Sequence, residues 1–124
     1  MKGNISIYMC YKENSVFLKE ENRDGYIVSA LMKKVWAVEL DLLSELDRVC
    51  KKYNIKYYAA FGTLLGAVRN KGFIPWDDDI DVCMLRDDYA KFKEVAKNEF
   101  GGKYYYQDWY NSCGRTWIFS KLRN

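Results

Sequence analysis

A chain of 124 residues is enough for one small domain and little more. Its 49% hydrophobic and 30% charged residues are the balance of an ordinary soluble globular protein, and a net charge of +3 is too mild for the basic stripe of a nucleic-acid binder. There is no His, so the usual general base, zinc ligand and neutral-pH switch are excluded, and chemistry must run on carboxylates, Lys, Arg, Tyr, Cys or a hard metal ion.

From the N-terminus, Ile5, Ile7, Tyr8 and Met9 suggest a short strand, followed by a charged stretch from Lys19 to Asp24 without strong organisation. No apolar run from Met1 to Lys12 is long enough for a signal peptide, and no window reaches the length of a membrane span. Ser29 is placed to cap a helix running to about Tyr53, because Leu31, Val35, Val38, Leu42, Leu46, Val49 and Tyr53 recur every three or four residues. Ile55 to Phe61 is short and aromatic and reads as a strand, broken by Gly62-Thr63. Leu64 to Val68 can make one or two helical turns before Asn70, Gly72 and Pro75 force a loop.

Asp79 to Leu85 reads as a second strand, with Ile80, Val82 and Met84 on one face. Asp87 or Asp88 is expected to cap a helix carrying Tyr89, Phe92, Val95 and Ala96, stopped by Gly101-Gly102. Lys103 to Gln107 and Thr116 to Leu122 are further strand candidates. This order predicts an α/β or α+β domain. The four Cys, at 10, 50, 83 and 113, form no CxxC and read as reduced thiols in a cytosolic protein rather than as a disulfide scaffold or zinc site.

The densest chemistry is Trp76-Asp77-Asp78-Asp79-Ile80-Asp81. Four carboxylates so close together repel, and folding them is unfavourable unless a cation or several donors compensate. In an extended segment Asp77, Asp79 and Asp81 share one face while Asp78 and Ile80 face away. Asp79 and Asp81 are then ~7 Å apart along the backbone, a gap that side chains and Mg²⁺–O bonds of about 2.1 Å can close. A calcium loop of the EF-hand type fails, because Val82 stands where Gly is required and Asp88 where Glu is required. Upstream, Gly62 lets a phosphate approach the backbone, and the Thr63 hydroxyl with free N–H groups at a helix start can bind it. Strand, Gly-Thr turn, short helix, and strand with Asp-x-Asp is the order of a nucleotidyltransferase fold.

The run from Gly62 through Leu64-Leu65-Gly66-Ala67-Val68-Arg69-Asn70-Lys71-Gly72-Phe73-Ile74-Pro75-Trp76 to Val82 resembles the signature of the LicD family. These are phosphocholine transferases of bacterial surface glycans, with relatives among the fukutin-type ribitol-phosphate transferases. The likeness extends from about Asp24 to the last residue, including Trp36, Cys50, Tyr89, Phe92 and Phe119 to Arg123.

It implies a nucleotidyltransferase-like mixed sheet flanked by helices over 29–124, preceded by an N-terminal extension over 1–28. It also implies transfer of phosphocholine, or a similar phospho-alcohol, from a CDP-choline-like donor to a glycan hydroxyl, as in lipopolysaccharide or teichoic acid modification. By resemblance Asp79 and Asp81 are the catalytic carboxylates that hold Mg²⁺ or Mn²⁺, with Asp77 as a further ligand. Gly62 and Thr63 form the phosphate-binding turn. Arg69 and Lys71 are candidates for neutralising the diphosphate, with two solvated loop cations as the competing reading. Lys121 and Arg123 match a Lys-x-Arg ending that lines the nucleotide site. Trp76 is either a ring for a choline cation or, the favoured reading, a buried hinge under the loop. The implied location is cytoplasmic, peripheral at the inner face of the membrane, without a membrane span or nucleic-acid partner.

Two departures bear on activity. Asn70 stands where the family commonly has His, and Asn cannot exchange a proton near pH 7. The family also continues into an Asp-Ile-Phe-Pro segment that supplies a third carboxylate, so the chain is expected to be the N-terminal part of a longer enzyme or a truncated product, inactive alone even if it binds metal. Two alternatives remain open at this stage. One is a glycosyltransferase using Asp79-x-Asp81 to hold a nucleotide-sugar's metal; the other is a non-catalytic module of the same fold.

Overall fold

The computed structural model describes residues 15–111 and 119–124. The expected strand around Ile5 to Met9, residues 116–118 of the last strand candidate, and Cys10 and Cys113 lie outside these. Among the described cysteines Cys50 is buried and Cys83 exposed, and both are free thiols, as expected.

The elements follow in the order β1 (Glu21–Arg23), β2 (Tyr26–Val28), α1 (Ala30–Lys52), β3 (Tyr58–Ala59), α2 (Phe61–Arg69), β4 (Val82–Cys83), α3 (Arg86–Glu99), β5 (Tyr105–Gln107) and β6 (Lys121–Arg123). The mixture of helices and short strands is the α+β class the sequence predicted. The strands, however, pair two by two, β1 with β2, β3 with β4 and β5 with β6, all antiparallel. Among the described residues they do not join into one mixed sheet. Strand propensity marks which segments extend, not which partner each finds.

The hairpin of β1 and β2 was not foreseen. Its two-residue turn is Asp24-Gly25, both with positive φ (55° and 83°), the backbone that twists a tight hairpin the right way. Asn22 Oδ1 accepts the Gly25 N–H at 3.0 Å. Asp-Gly is a hairpin signal in its own right; the surrounding charges hid it.

Ser29 caps α1 as expected, its hydroxyl accepting the Met32 N–H at 3.2 Å. The apolar stripe is buried from Leu42 through Leu46 to Val49, but its first member, Leu31, is exposed. At that end the buried residues are Lys33, Trp36 and Ala37. Lys33 is 2% exposed, with its ammonium 3.1 Å from Glu21 and over the rings of Phe17 and Trp36. An aliphatic stem under aromatic rings with its charge paired is a tolerable burial for a lysine.

The main core joins α1, α3 and β5: Leu46, Val49, Cys50, Ile55, Phe92, Ala96 and Tyr106. Charged pins hold its rim. Glu99 at the end of α3 accepts from Arg48 and Lys52 of α1 and from Tyr53 just after it, and Lys52 foremost holds its carboxyl down at about 2. Buried Asp41 accepts from Lys103 at 2.8 Å and Tyr104 at 3.0 Å.

The helix after β4 begins two or three residues earlier than the Asp caps implied. Leu85 is its N-cap, without a side-chain bond, and Asp87 and Asp88 lie in the first turn. Asp88 reaches across to accept the Lys56 N–H at 3.1 Å, so long-range pairing won over local capping. The helix ends at Glu99, before Gly101-Gly102, as expected.

Candidate functional site

The acidic segment lies between α1 and α2, and its geometry differs from a plain strand. Only Val82 and Cys83 join a ladder, so residues 77–81 are free to bend. They bend so that carboxylate oxygens of Asp77, Asp78 and Asp79 come within 4.8 Å of one another. Asp78, expected to face away, therefore stands with Asp77 and Asp79, and Asp81, expected beside them, is not in that group. Ile80, also expected on the far side, lines the same cleft as Asp79 and Asp81. Strict alternation holds only where a neighbouring strand enforces the pleat.

Gly62 and Thr63 are not a break before the helix but part of its first turn. α2 starts at Phe61, whose φ of 46° lets the chain swing from β3 into the helix. Gly62 lets the Asp77 carboxylate approach closely: a Cβ there would stand 2.6 Å from Asp77 Oδ2. Thr63 Oγ1 accepts the Asp81 N–H at 2.8 Å, and the Ala60 N–H donates to the Asp81 carbonyl at 3.0 Å. The turn expected to hold a phosphate thus also holds the acids.

Beneath the loop sits Trp36, not Trp76. Trp36 is fully buried, stacks on Phe73 at 4.7 Å and donates its indole N–H to the Asp77 carbonyl at 2.7 Å. Trp76 is 59% exposed and meets Tyr26 edge-on at 5.6 Å, which corrects its reading as the buried hinge.

A cleft of about 780 Å³ opens from this point. Glu39, Asp79 and Asp81 supply carboxylates to its lining, Lys121 and Arg123 of β6 supply cations, and Leu42, Leu46, Met84 and Phe92 supply apolar wall. Two residues apart on one strand, Lys121 and Arg123 fall on the same face. Tyr89 and Tyr106 hydroxyls both reach Ser120 Oγ, at 2.6 and 3.1 Å. Arg69 and Lys71 are elsewhere. They lie at the far end of α2, about 10 Å along its axis from Gly62. Arg69 there bonds Asn70 Oδ1, and the Lys71 ammonium bonds the Val68 carbonyl. Asn70 reaches Asp24 of the hairpin at 3.3 Å, a structural tie.

The electrostatics follow from crowding. Burial, then the charge of Asp79, raises the Asp77 and Asp81 carboxyls above their ordinary value. Glu39 is pushed up to about 7, first by burial and then by Asp79, with Asp78 and Asp81 adding to it. An all-carboxylate set whose members resist ionising together is a set that a hard divalent cation suits, with Mg²⁺ and Mn²⁺ matching oxygen donors.

A family model described as LicD/FKTN/FKRP, nucleotidyltransferase domain, matches residues 54–123, more than half of the chain. The chain belongs to this LicD family. Among curated proteins, it is 54% identical to the lipopolysaccharide cholinephosphotransferase LicD of Haemophilus influenzae over 56 residues, 45% of this chain and 21% of that one. An uncharacterised protein of Rickettsia prowazekii is 34% identical over 103 residues, covering 82% of this chain and 38% of its own. Another from Rickettsia typhi is 36% identical over 89 residues, covering 67% and 29%. The chain thus spans between about a fifth and two fifths of the length of these relatives. No solved structure matches. Among the described residues no helix is long and apolar enough to cross a membrane.

The LicD match begins at residue 54, downstream of Glu39, and Glu39 is also the site residue that sequence reading missed. It stands one position from the apolar stripe of α1, where an acid reads as a solvated helix face. Its partners are forty residues away. Its raised pKa has a measurable consequence. The folded carboxyl holds its proton up to about 7, against 4.5 for the ordinary group. Its stabilising share is therefore full below 4.5 and lost as pH rises through 7. After discounting for solvent screening, stability is expected to fall by about 1–2 kcal/mol across that window. Urea unfolding at a series of pH values should show a flatter profile for Glu39→Gln than for wild type.

Proposed function

We propose that this chain carries the cation- and donor-holding part of a transferase that moves phosphocholine, or a similar phospho-alcohol. The donor is CDP-activated and the acceptor is a hydroxyl of a cell-surface glycan. The observation that carries this reading is one cleft with carboxylates from Asp79 and Asp81 and with Lys121 and Arg123 in its lining. Membership of the LicD family and likeness to a lipopolysaccharide cholinephosphotransferase support the choice of transferred group.

In this reading Asp79 and Asp81 hold Mg²⁺ or Mn²⁺, with Asp77 as a further ligand beside Gly62. A bound cation there supplies charge neutralisation at the diphosphate oxygens and alignment of the leaving group. Lys121 and Arg123 take the remaining phosphate charge by charge-assisted hydrogen bonds. Arg69 and Lys71, at the other end of α2, have no part in this. The acceptor oxygen forms a bond to the phosphorus that carries the alcohol, the bond from that phosphorus to the CMP oxygen breaks, and CMP leaves. The proton of the acceptor hydroxyl passes to a carboxylate of the cleft. The apolar wall excludes water that would compete as acceptor.

Calorimetric titration of the purified chain with CDP-choline and, in parallel, a UDP-sugar tests the reading. CDP-choline should bind with Mg²⁺ present, be lost in EDTA, and weaken roughly 10-fold or more in Asp79→Ala. Binding indifferent to EDTA, or a preference for the UDP-sugar, would overturn it.

A further inference from the structure

The acidic loop has to be held open against its own charge, and no strand ladder does so. β4 pairs only at Val82 and Cys83, so Asp77 to Asp81 receive no inter-strand bonds beyond the single one from Ala60 to the Asp81 carbonyl. Their backbone groups are instead taken by side chains from the two flanking helices. The Asp77 carbonyl accepts from Trp36 of α1 at 2.7 Å. The Asp81 N–H donates to Thr63 of α2 at 2.8 Å. Between them the Ile80 N–H is directed at the Glu39 carboxylate of α1. Glu39 lines the same cleft as Asp79 and Asp81.

We propose that Glu39 and Thr63 are positioning residues which clamp the Asp79–Asp81 backbone from opposite sides and so set the spacing of its carboxylates. The inference rests on the cleft holding a divalent cation as described above. Two consecutive N–H groups thus face different helices: that of Asp81 donates to Thr63 of α2 at 2.8 Å, and that of Ile80 faces Glu39 of α1. The Asp79–Ile80 and Ile80–Asp81 peptide planes are thereby each held in rotation, and with them the directions in which the side chains of Asp79 and Asp81 leave the backbone. A loop fixed in this way keeps its ligand geometry before a cation arrives, which lowers the cost of binding it. It also gives Thr63 a role in the Gly62-Thr63 turn other than touching phosphate.

The test uses the full ¹⁵N-labelled chain with Glu39→Ala, Glu39→Gln, Thr63→Val and Thr63→Ser. Gln and Ser keep an acceptor oxygen in place; Ala and Val do not. Amide exchange at Ile80 should accelerate in Glu39→Ala, and at Asp81 in Thr63→Val, each by about 10-fold. Mn²⁺ affinity should fall roughly 10-fold in both, as for other residues that orient metal ligands. Glu39→Gln and Thr63→Ser should restore both readouts to within about threefold of wild type. Unchanged exchange in Glu39→Ala and Thr63→Val would overturn the clamp. So would faster exchange with unaltered Mn²⁺ affinity, or a shifted Tm with neither readout moved. Equal loss of affinity in Glu39→Gln and Glu39→Ala would overturn positioning in favour of direct ligation. A wild-type chain that binds no Mn²⁺ overturns the cation reading of the cleft and this inference together. Tight wild-type binding that all four variants share overturns this inference alone.

Discussion

Replacing Trp36 with Ala is expected to cost about 3–5 kcal/mol, a large share of what a domain this size can spare. The ring is fully buried, stacked at 4.7 Å and 6° on Phe73, and flanked by the Arg23 guanidinium at 5.1 Å and the Lys33 ammonium at 5.2 Å. Removing it leaves a cavity and takes away the ring face over which two cations now lie. Trp36→Phe separates the terms. It keeps most of the apolar volume but leaves the Asp77 carbonyl without its 2.7 Å donor, at about 1–3 kcal/mol. Trp76→Ala is the control, since that ring is 59% exposed and meets Tyr26 in a T-shaped aromatic pair worth about 0.5–1.5 kcal/mol. Urea unfolding of the three variants should rank them in that order. A Trp76→Ala loss as large as that of Trp36→Ala would mean that the wrong tryptophan has been placed under the loop.

The confusion between these two residues shows what the sequence carries and what it does not. Periodic spacing located α1 within a residue or two, and Ser29 did cap it, because both signals are local. The Gly101-Gly102 stop of α3 was legible for the same reason. Errors came where a distant partner decided. Asp88 looks like a cap until Lys56, thirty-two residues upstream, supplies an N–H for it. Asp78 looks outward-facing until the absence of a ladder lets the loop bend. Trp76 looks like the hinge because it adjoins the acids, whereas the ring that holds them comes from a helix forty residues earlier. The acids and Gly62 could be named from residue type and order alone, whereas the Lys121–Arg123 pair came from resemblance to the LicD family. Glu39 could not, since nothing local distinguishes it from a solvated helix acid.

Two glycines of α2 provide the sharpest separation of fold from site. At Gly66 an added Cβ would stand 2.5 Å from the Gly72 carbonyl oxygen and 3.0 Å from the Ile74 nitrogen. Both are backbone atoms, and the Gly66 carbonyl itself accepts from Asn70 at 2.8 Å and Gly72 at 3.3 Å, so the loop is folded tightly onto the helix. Neither side can yield by rotating a side chain. Gly66→Ala is therefore expected to destabilise by about 1–3 kcal/mol, despite the helix propensity gained. At Gly62 the atom met is Asp77 Oδ2, at 2.6 Å, the tip of a side chain that can turn away. Ala recovers up to about 1 kcal/mol of helix propensity there, so stability should barely change. The carboxylate, however, has to leave the group it forms with Asp78 and Asp79. Mn²⁺ affinity should then drop roughly 10-fold in a chain that unfolds like wild type. If Gly62→Ala binds Mn²⁺ normally, Asp77 is not among the residues that hold the cation, and Asp79 and Asp81 must do so without it.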